Sequence, residues 1–283
     1  LPHLLFALLA RLPLPLLHAM GGLLGRAALL RPRHRRLLRD NLVLAGMADR
    51  LGLGAVAAGL GRGLMELSAI WLRPLDQVTG LVREVRGLEH LDAARRRGQG
   101  LLLLAPHLGC WELAGIWYGA RYPMTALYRP PPQDWAHEMM KGGRERGQIR
   151  TVPPDRSGVK ALLGALKRNE AAFILPDQVA NRDADGVWIT YFGQSAYVPV
   201  LPYRLAAATG ATVLMLVCER LPGGRGYRLH ITPLADLPDD TAAAAGQVHA
   251  AIEAAVRALP DQYLWSYRFF RRRKRMPPPP EAP

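Results

Sequence analysis

Cysteine is nearly missing from this chain: Cys110 and Cys218 are the only two in 283 residues. Two thiols cannot staple a small secreted scaffold, nor can they alone complete a structural zinc site. There is no glycine-rich phosphate loop, no dinucleotide fingerprint and no histidine cluster at metal-ligand spacing, so neither a metal nor an organic cofactor is expected. Acidic residues are scarce, 23 against 37 Lys and Arg, which leaves a net charge of +14. That excess calls for an anionic partner, whether nucleic acid, phospholipid headgroups, an acidic protein or a phosphorylated substrate. Aromatic residues make up only 7% of the chain, and only Tyr263 to Phe270 interleaves them with basic ones. A nucleic-acid-binding surface, which needs stacking platforms beside its charge, is therefore the weaker reading, and no nucleic-acid partner is expected. What is abundant is apolar: 49% hydrophobic against 21% charged excludes a mostly disordered chain and provides for a sizeable core.

No apolar run is long enough to be an unambiguous membrane span. Residues 1–30 are strongly apolar, yet Arg11 and Arg26 interrupt them and Pro2, Pro13 and Pro15 limit helix continuity. The fourteen residues from Leu12 to Gly25 fall short of the roughly 20 that cross a bilayer. Arg31, Arg33, His34, Arg35, Arg36 and Arg39 follow at once. An apolar stretch ending in a basic cluster predicts a membrane-anchoring segment over 1–30, spanning or interfacial, with the downstream chain on the cytoplasmic side. The competing reading is a buried N-terminal helix followed by a solvated basic loop.

Downstream, helical periodicity runs from Leu37 to Leu72 and stops at Pro74. Short unbroken apolar runs at 100–105 and 171–175, bounded by glycine and proline, read as buried strands. Further strands are expected at 124–128, 187–191, 197–200, 211–219 and 226–231, with helices at 109–120, 134–146, 158–168, 202–208 and 241–259. This alternation predicts an α/β fold, a mixed central sheet flanked by helices with an apolar, membrane-associating helix at the N-terminus. Residues 31–275 read as one domain and 276–283, mostly proline, as a disordered tail.

The densest polar chemistry in an apolar setting is Pro106-His107-Leu108-Gly109-Cys110-Trp111-Glu112. A histidine at a strand's carboxyl end stands where open α/β sheets bind ligands. If the chain turns at Gly109, Glu112 can fold back to accept the His107 Nδ1–H, leaving Nε2 as a base that takes a proton from a hydroxyl. The alternative is a satisfied core histidine and a glutamate that complements its helix dipole. Arg144 and Arg146 can bind a phosphate or polarise a carbonyl, or serve as a favourable helix-end charge pair. Asp177-Gln178, after Pro176 at another strand end, is either a polar site pair or a turn.

Taken together these blocks resemble the lipid A biosynthesis lauroyl/myristoyl acyltransferases, the bacterial late acyltransferases within the wider lysophospholipid acyltransferase group. Gly87-Leu88-Glu89-His90-Leu91 and Gly100 to Glu112 look like that family's central signature, with His107-x4-Glu112 as its histidine–acid motif. Tyr128-Arg129-Pro130, Gly143-Arg144-Glu145-Arg146-Gly147, Pro176-Asp177-Gln178, Tyr191-Phe192-Gly193 and Tyr263 to Phe269 follow in the family's order. The resemblance implies a glycerolipid acyltransferase-like fold at the cytoplasmic face of the cell inner membrane. It implies transfer of an acyl chain from an acyl carrier protein thioester to a hydroxyl of a phosphorylated lipid A precursor. On that likeness His107 is the general base and Glu112 its partner, while Arg144, Asp177, Arg129 and Gln178 are substrate-binding. The basic run Arg268, Arg271, Arg272, Arg273, Lys274, Arg275 is then a docking patch for an acidic or phosphorylated partner. Relatives with the same motif acylate phosphoinositide mannosides or lyso-ornithine lipids, the nearest alternatives for the acceptor.

Overall fold

The computed structural model describes residues 2–180, 185–234, 237–271 and 276–278. The basic residues Arg272 to Arg275 and the end of the proline-rich tail lie outside them. The apolar N-terminal stretch forms two helices rather than one, α1 (Pro2–Ala10) and α2 (Leu14–Ala27). Pro13 separates them because its ring fixes φ and its nitrogen has no proton to donate. The basic cluster opens α3 (Pro32–Leu44), and α4 (Leu53–Leu72) follows. The periodic stretch expected from Leu37 to Leu72 is thus broken around Gly46, which takes a positive φ of 63° after α3. Among the described helices, α4 alone is long and apolar enough to cross a membrane; the N-terminal helices are shorter.

After α5 (Leu75–Thr79) come β1 (Val82–Arg86), α6 (Leu88–Arg97), β2 (Leu101–Leu104), α7 (Trp111–Gly119) and β3 (Met124–Leu127). Then follow α8 (Asp134–Arg144), β4 (Ile149–Val152), α9 (Arg156–Lys167) and β5 (Ala171–Ile174). The chain continues through β6 (Gly186–Tyr191), β7 (Gln194–Pro199), α10 (Leu201–Thr209), β8 (Thr212–Arg220), β9 (Tyr227–Pro233) and α11 (Thr241–Ala258). Seven strands make one mixed sheet in the order β1-β9-β8-β2-β5-β3-β4. From β8 to β4 all neighbours are parallel, while β9 is antiparallel to β8. β6 and β7 form a separate antiparallel hairpin outside the sheet.

The fully buried strands explain the uniform apolar runs, since side chains alternate between two covered faces. Leu102 and Leu104 of β2 join a core with α9, α11 and the C-terminal Tyr263 and Trp265, while Leu101 and Leu103 join one with α7 and the end of α4. α2 lies against α4 at glycine distance: a Cβ on Gly25 would stand 1.9 Å from the Ala57 carbonyl oxygen. Leu4, Leu5 and Leu8 of α1, Leu16, Leu23 and Leu24 of α2 and Leu64 of α4 are exposed on an otherwise strongly basic protein.

Candidate active site

Two adjacent strands end in the same way. β2 finishes at Leu104 and runs on through Ala105-Pro106 to His107, and β5 finishes at Ile174 and runs on through Leu175-Pro176 to Asp177. Leu104 and Ile174 are register partners in the parallel ladder, so the third residue beyond each stands opposite the other. A proline at the second position withholds the N–H that a helical turn would need and keeps the preceding residue extended. His107 Nδ1 consequently lies 2.7 Å from Asp177 Oδ1, and the His107 backbone N–H donates to Oδ2 at 3.0 Å.

With Nδ1–H committed to a carboxylate, the neutral imidazole presents its lone pair at Nε2. The Gln178 side-chain amide donates to it at 3.1 Å. Tyr263 donates its hydroxyl to Asp177 Oδ2 at 3.0 Å, and the Tyr191 hydroxyl stands 2.9 Å from that of Tyr263. Asp177 is fully buried, which by itself would raise its pKa; the facing imidazole and the hydrogen bonds from His107 and Tyr263 outweigh burial and hold it below the usual carboxylate range. The C-terminal segment closes the site over its backbone as well, through Leu264 N–H donating to the His107 carbonyl at 3.0 Å.

Glu112 does not reach His107, which corrects the pairing expected from the His107-x4-Glu112 spacing. Gly109 turns the chain with φ +64°, and α7 starts at Trp111 with Glu112 in its first turn, aimed away from the imidazole. Its carboxylate instead takes a forked ion pair from Arg144 at the end of α8, with Nε at 2.8 Å from Oε2, and a hydrogen bond from Trp71 Nε1 at 3.3 Å. Burial would raise the Glu112 pKa, but the Arg144 charge and its hydrogen bonds hold it below the ordinary value. Arg144 therefore belongs to Glu112 in this state, and Arg146 donates to the carbonyls of Ile70 and Arg73 at the end of α4, satisfying groups the helix leaves open. Arg129 is exposed on the segment leaving β3, on the same sheet edge but outside the His107–Asp177 cluster. Cys110 is buried, and burial pushes its thiol pKa well up, so it is no nucleophile.

The sequence places Tyr263 and Tyr191 only within family-like blocks and assigns them no role. The signal that finds the His107–Asp177 pair is the repeated strand-x-Pro-polar ending, which becomes informative once β2 and β5 are known to be neighbours. Two apolar hollows share Trp111, the neighbour of His107. One is a narrow cavity behind Glu112 and Arg144, lined by Gly115, Ala126, Ile149 and Phe173. The other, of about 430 Å³, is an apolar groove bounded by the end of α2, by α4 and by Gln262, Leu264 and Ser266. Trp111 lines both, and its ring centroid is 5.0 Å from that of His107.

A histidine oriented by a buried carboxylate at the carboxyl edge of a parallel ladder is an arrangement able to take a proton from a hydroxyl. Comparison with known proteins agrees. Residues 3–272 match the family model described as bacterial lipid A biosynthesis acyltransferase, and the chain belongs to that family; it is an acyltransferase. It is 30% identical over 275 residues to a lipid A biosynthesis palmitoleoyltransferase of Escherichia coli, covering 93% of this chain and 87% of that protein. It is 29% identical over 278 residues to the lauroyltransferase of the same organism, covering 94% and 89%. A phosphatidylinositol mannoside acyltransferase of Mycobacterium tuberculosis is 31% identical over 180 residues, covering 62% of this chain and 54% of that protein.

Proposed function

We propose that this enzyme moves a fatty acyl chain from an acyl carrier protein thioester to a hydroxyl of a phosphorylated lipid A precursor, at the cytoplasmic face of the inner membrane. The observation that carries the reading is the His107–Asp177 pair beside two apolar hollows, in a chain of this family. The acceptor hydroxyl replaces the Gln178 amide at His107 Nε2. Nε2 takes its proton as the oxygen attacks the thioester carbonyl carbon, and Asp177 stabilises the imidazolium that forms. The C–O bond forms, the C–S bond breaks, and the imidazolium returns its proton to the departing thiolate.

Glu112 assists at one remove by holding Arg144 at the mouth of the narrow cavity, whose volume of about 40 Å³ takes the end of the donor chain. The wider groove opens beside the exposed leucines and suits the acyl chains of the acceptor. Those leucines seat α1, α2 and α4 in one leaflet, and the basic cluster opening α3 meets the headgroups. Arg129, exposed on the active edge, engages phosphate. Charge supports both partners: carrier protein is acidic, the acceptor is phosphorylated, and the protein carries +14. The mycobacterial relative favours a second acceptor, a mannosylated phosphoinositide.

The test is mass spectrometry of a tetra-acylated, phosphorylated lipid A precursor incubated with acyl carrier proteins bearing C10 to C16 chains. One acyl increment with wild type and none with a folded His107→Ala is the expected result. An increment that persists in His107→Ala removes the base. No increment from any donor, with one appearing on a phosphoinositide mannoside, transfers the reading to that acceptor.

A further inference from the structure

The apolar helix α4 contains one acidic residue, Glu66, and it is buried. A carboxylate there is costly unless every lone pair is used. Arg220, at the end of β8, donates to it from Nε at 2.7 Å and Nη2 at 2.9 Å. Tyr227, at the start of β9, adds its hydroxyl at 2.8 Å, and His18 of α2 places Nε2 at 3.0 Å. These four side chains come from four elements; Arg220 also lines the wide groove, but none of the four takes part in the proton transfer described above.

The same Nη2 of Arg220 also donates to the Gly109 carbonyl at 2.8 Å, two residues beyond His107. The loop around it is pinned elsewhere. Gly109 N–H donates to the Gln262 carbonyl at 3.1 Å and Cys110 N–H to the Cys218 carbonyl at 2.7 Å. The Gln262 side chain fixes Arg220 in turn, accepting from its N–H at 2.8 Å and donating to its carbonyl at 3.1 Å. The Gly109 carbonyl is the point at which the loop touches the buried ion pair. A guanidinium carries its donors on separate nitrogens in a rigid fork, so Nε and Nη2 grip the carboxylate while Nη2 also reaches the carbonyl; an ammonium has only one nitrogen to place.

We propose that the Glu66–Arg220 pair is a positioning device, anchoring the His107 loop through the Gly109 carbonyl to the apolar helices α2 and α4. The functional part of this rests on His107 being the base. Arg220→Lys keeps the charge opposite Glu66 but cannot span both partners. Hydrogen exchange of peptides covering residues 105–112 is expected to quicken by about tenfold in that variant. In the transfer assay kcat should fall by about 10- to 100-fold with KM within about twofold, the mark of misplaced chemistry rather than lost binding. Tyr227→Phe removes one bond to Glu66 without touching the loop and should leave both readouts at wild-type values. If Arg220→Lys does not fold, the double variant Glu66→Met/Arg220→Met, which strands no charge, is read in the same way.

Wild-type exchange and kcat in either folded variant would overturn the proposal. Equal losses in Tyr227→Phe would also overturn it, by reducing the network to general stabilisation. The exchange measurement needs no turnover. If His107→Ala still transfers an acyl chain, or wild type transfers none to either acceptor, the proposed function fails, while the anchoring of the loop is still decided by exchange.

Discussion

At the scale of single residues, the two acids near the site have separable jobs. Asp177 orients an imidazole, so Asp177→Asn should present the wrong tautomer and lower kcat by about 10³- to 10⁴-fold, with little change in melting temperature. Glu112 is locked to Arg144, so Glu112→Gln leaves a buried guanidinium short of its partner; thermal unfolding should show a loss of about 3 kcal/mol. Turnover by the folded Glu112→Gln enzyme should fall far less than in Asp177→Asn. The reverse ranking, measured by steady-state kinetics beside calorimetry, would restore Glu112 as the partner of His107. The residue types of the site were legible in the sequence from their place after prolines at strand ends, although a core histidine and a turn-forming aspartate explained them equally well. Their pairing was not: the spacing pointed to a neighbour five positions on, whereas the partner lies seventy positions away and becomes adjacent only through the ladder.

Elements bring a second kind of constraint. The buried strands β2 and β5 and the long helices α4 and α11 announced themselves by uniform runs and by periodicity. β1 and β4 did not, because Val82-Arg83-Glu84-Val85-Arg86 and Ile149-Arg150-Thr151-Val152 mix charge into short sheet-edge strands. The strands expected near 187–191 and 197–200 exist but pair with each other rather than joining the sheet, a choice that side-chain pattern does not encode. α2 and α4 touch backbone to backbone, so Gly25→Val should push them apart and cost about 3 kcal/mol or more, read as a lowered melting temperature. In the narrow cavity, Ala126 stands on β3 facing the space assigned to the donor chain. Ala126→Leu should shift donor preference to a shorter chain, with discrimination of about 1–3 kcal/mol against the original one, measured by competing donors in one reaction.

For the whole molecule, acid should act in two windows. Burial pushes the pKa of His249 in α11 down to about 4 from 6.5, so as pH falls below 6.5 the unfolded chain takes up a proton the native one refuses. Stability then declines by about 3 kcal/mol by pH 4. Burial would raise Glu66, but Arg220 and the hydrogen bonds from His18 hold it at about 2 against an ordinary 4.5. Its contribution is complete above pH 4.5 and disappears as pH falls toward 2, again about 3 kcal/mol. Melting temperature plotted against pH should therefore fall in two steps, and His249→Leu should flatten the upper one alone.

The site also has an order of assembly written into it. His107 and Asp177 come from the middle of the chain, yet Tyr263 and Leu264, which close over them, come near its end. The apolar helices α1, α2 and α4 lie at the opposite extreme of the chain. During synthesis the exposed apolar helices are made before the bonds that finish the site. A growing chain therefore exposes its apolar helices before His107 and Asp177 are closed over.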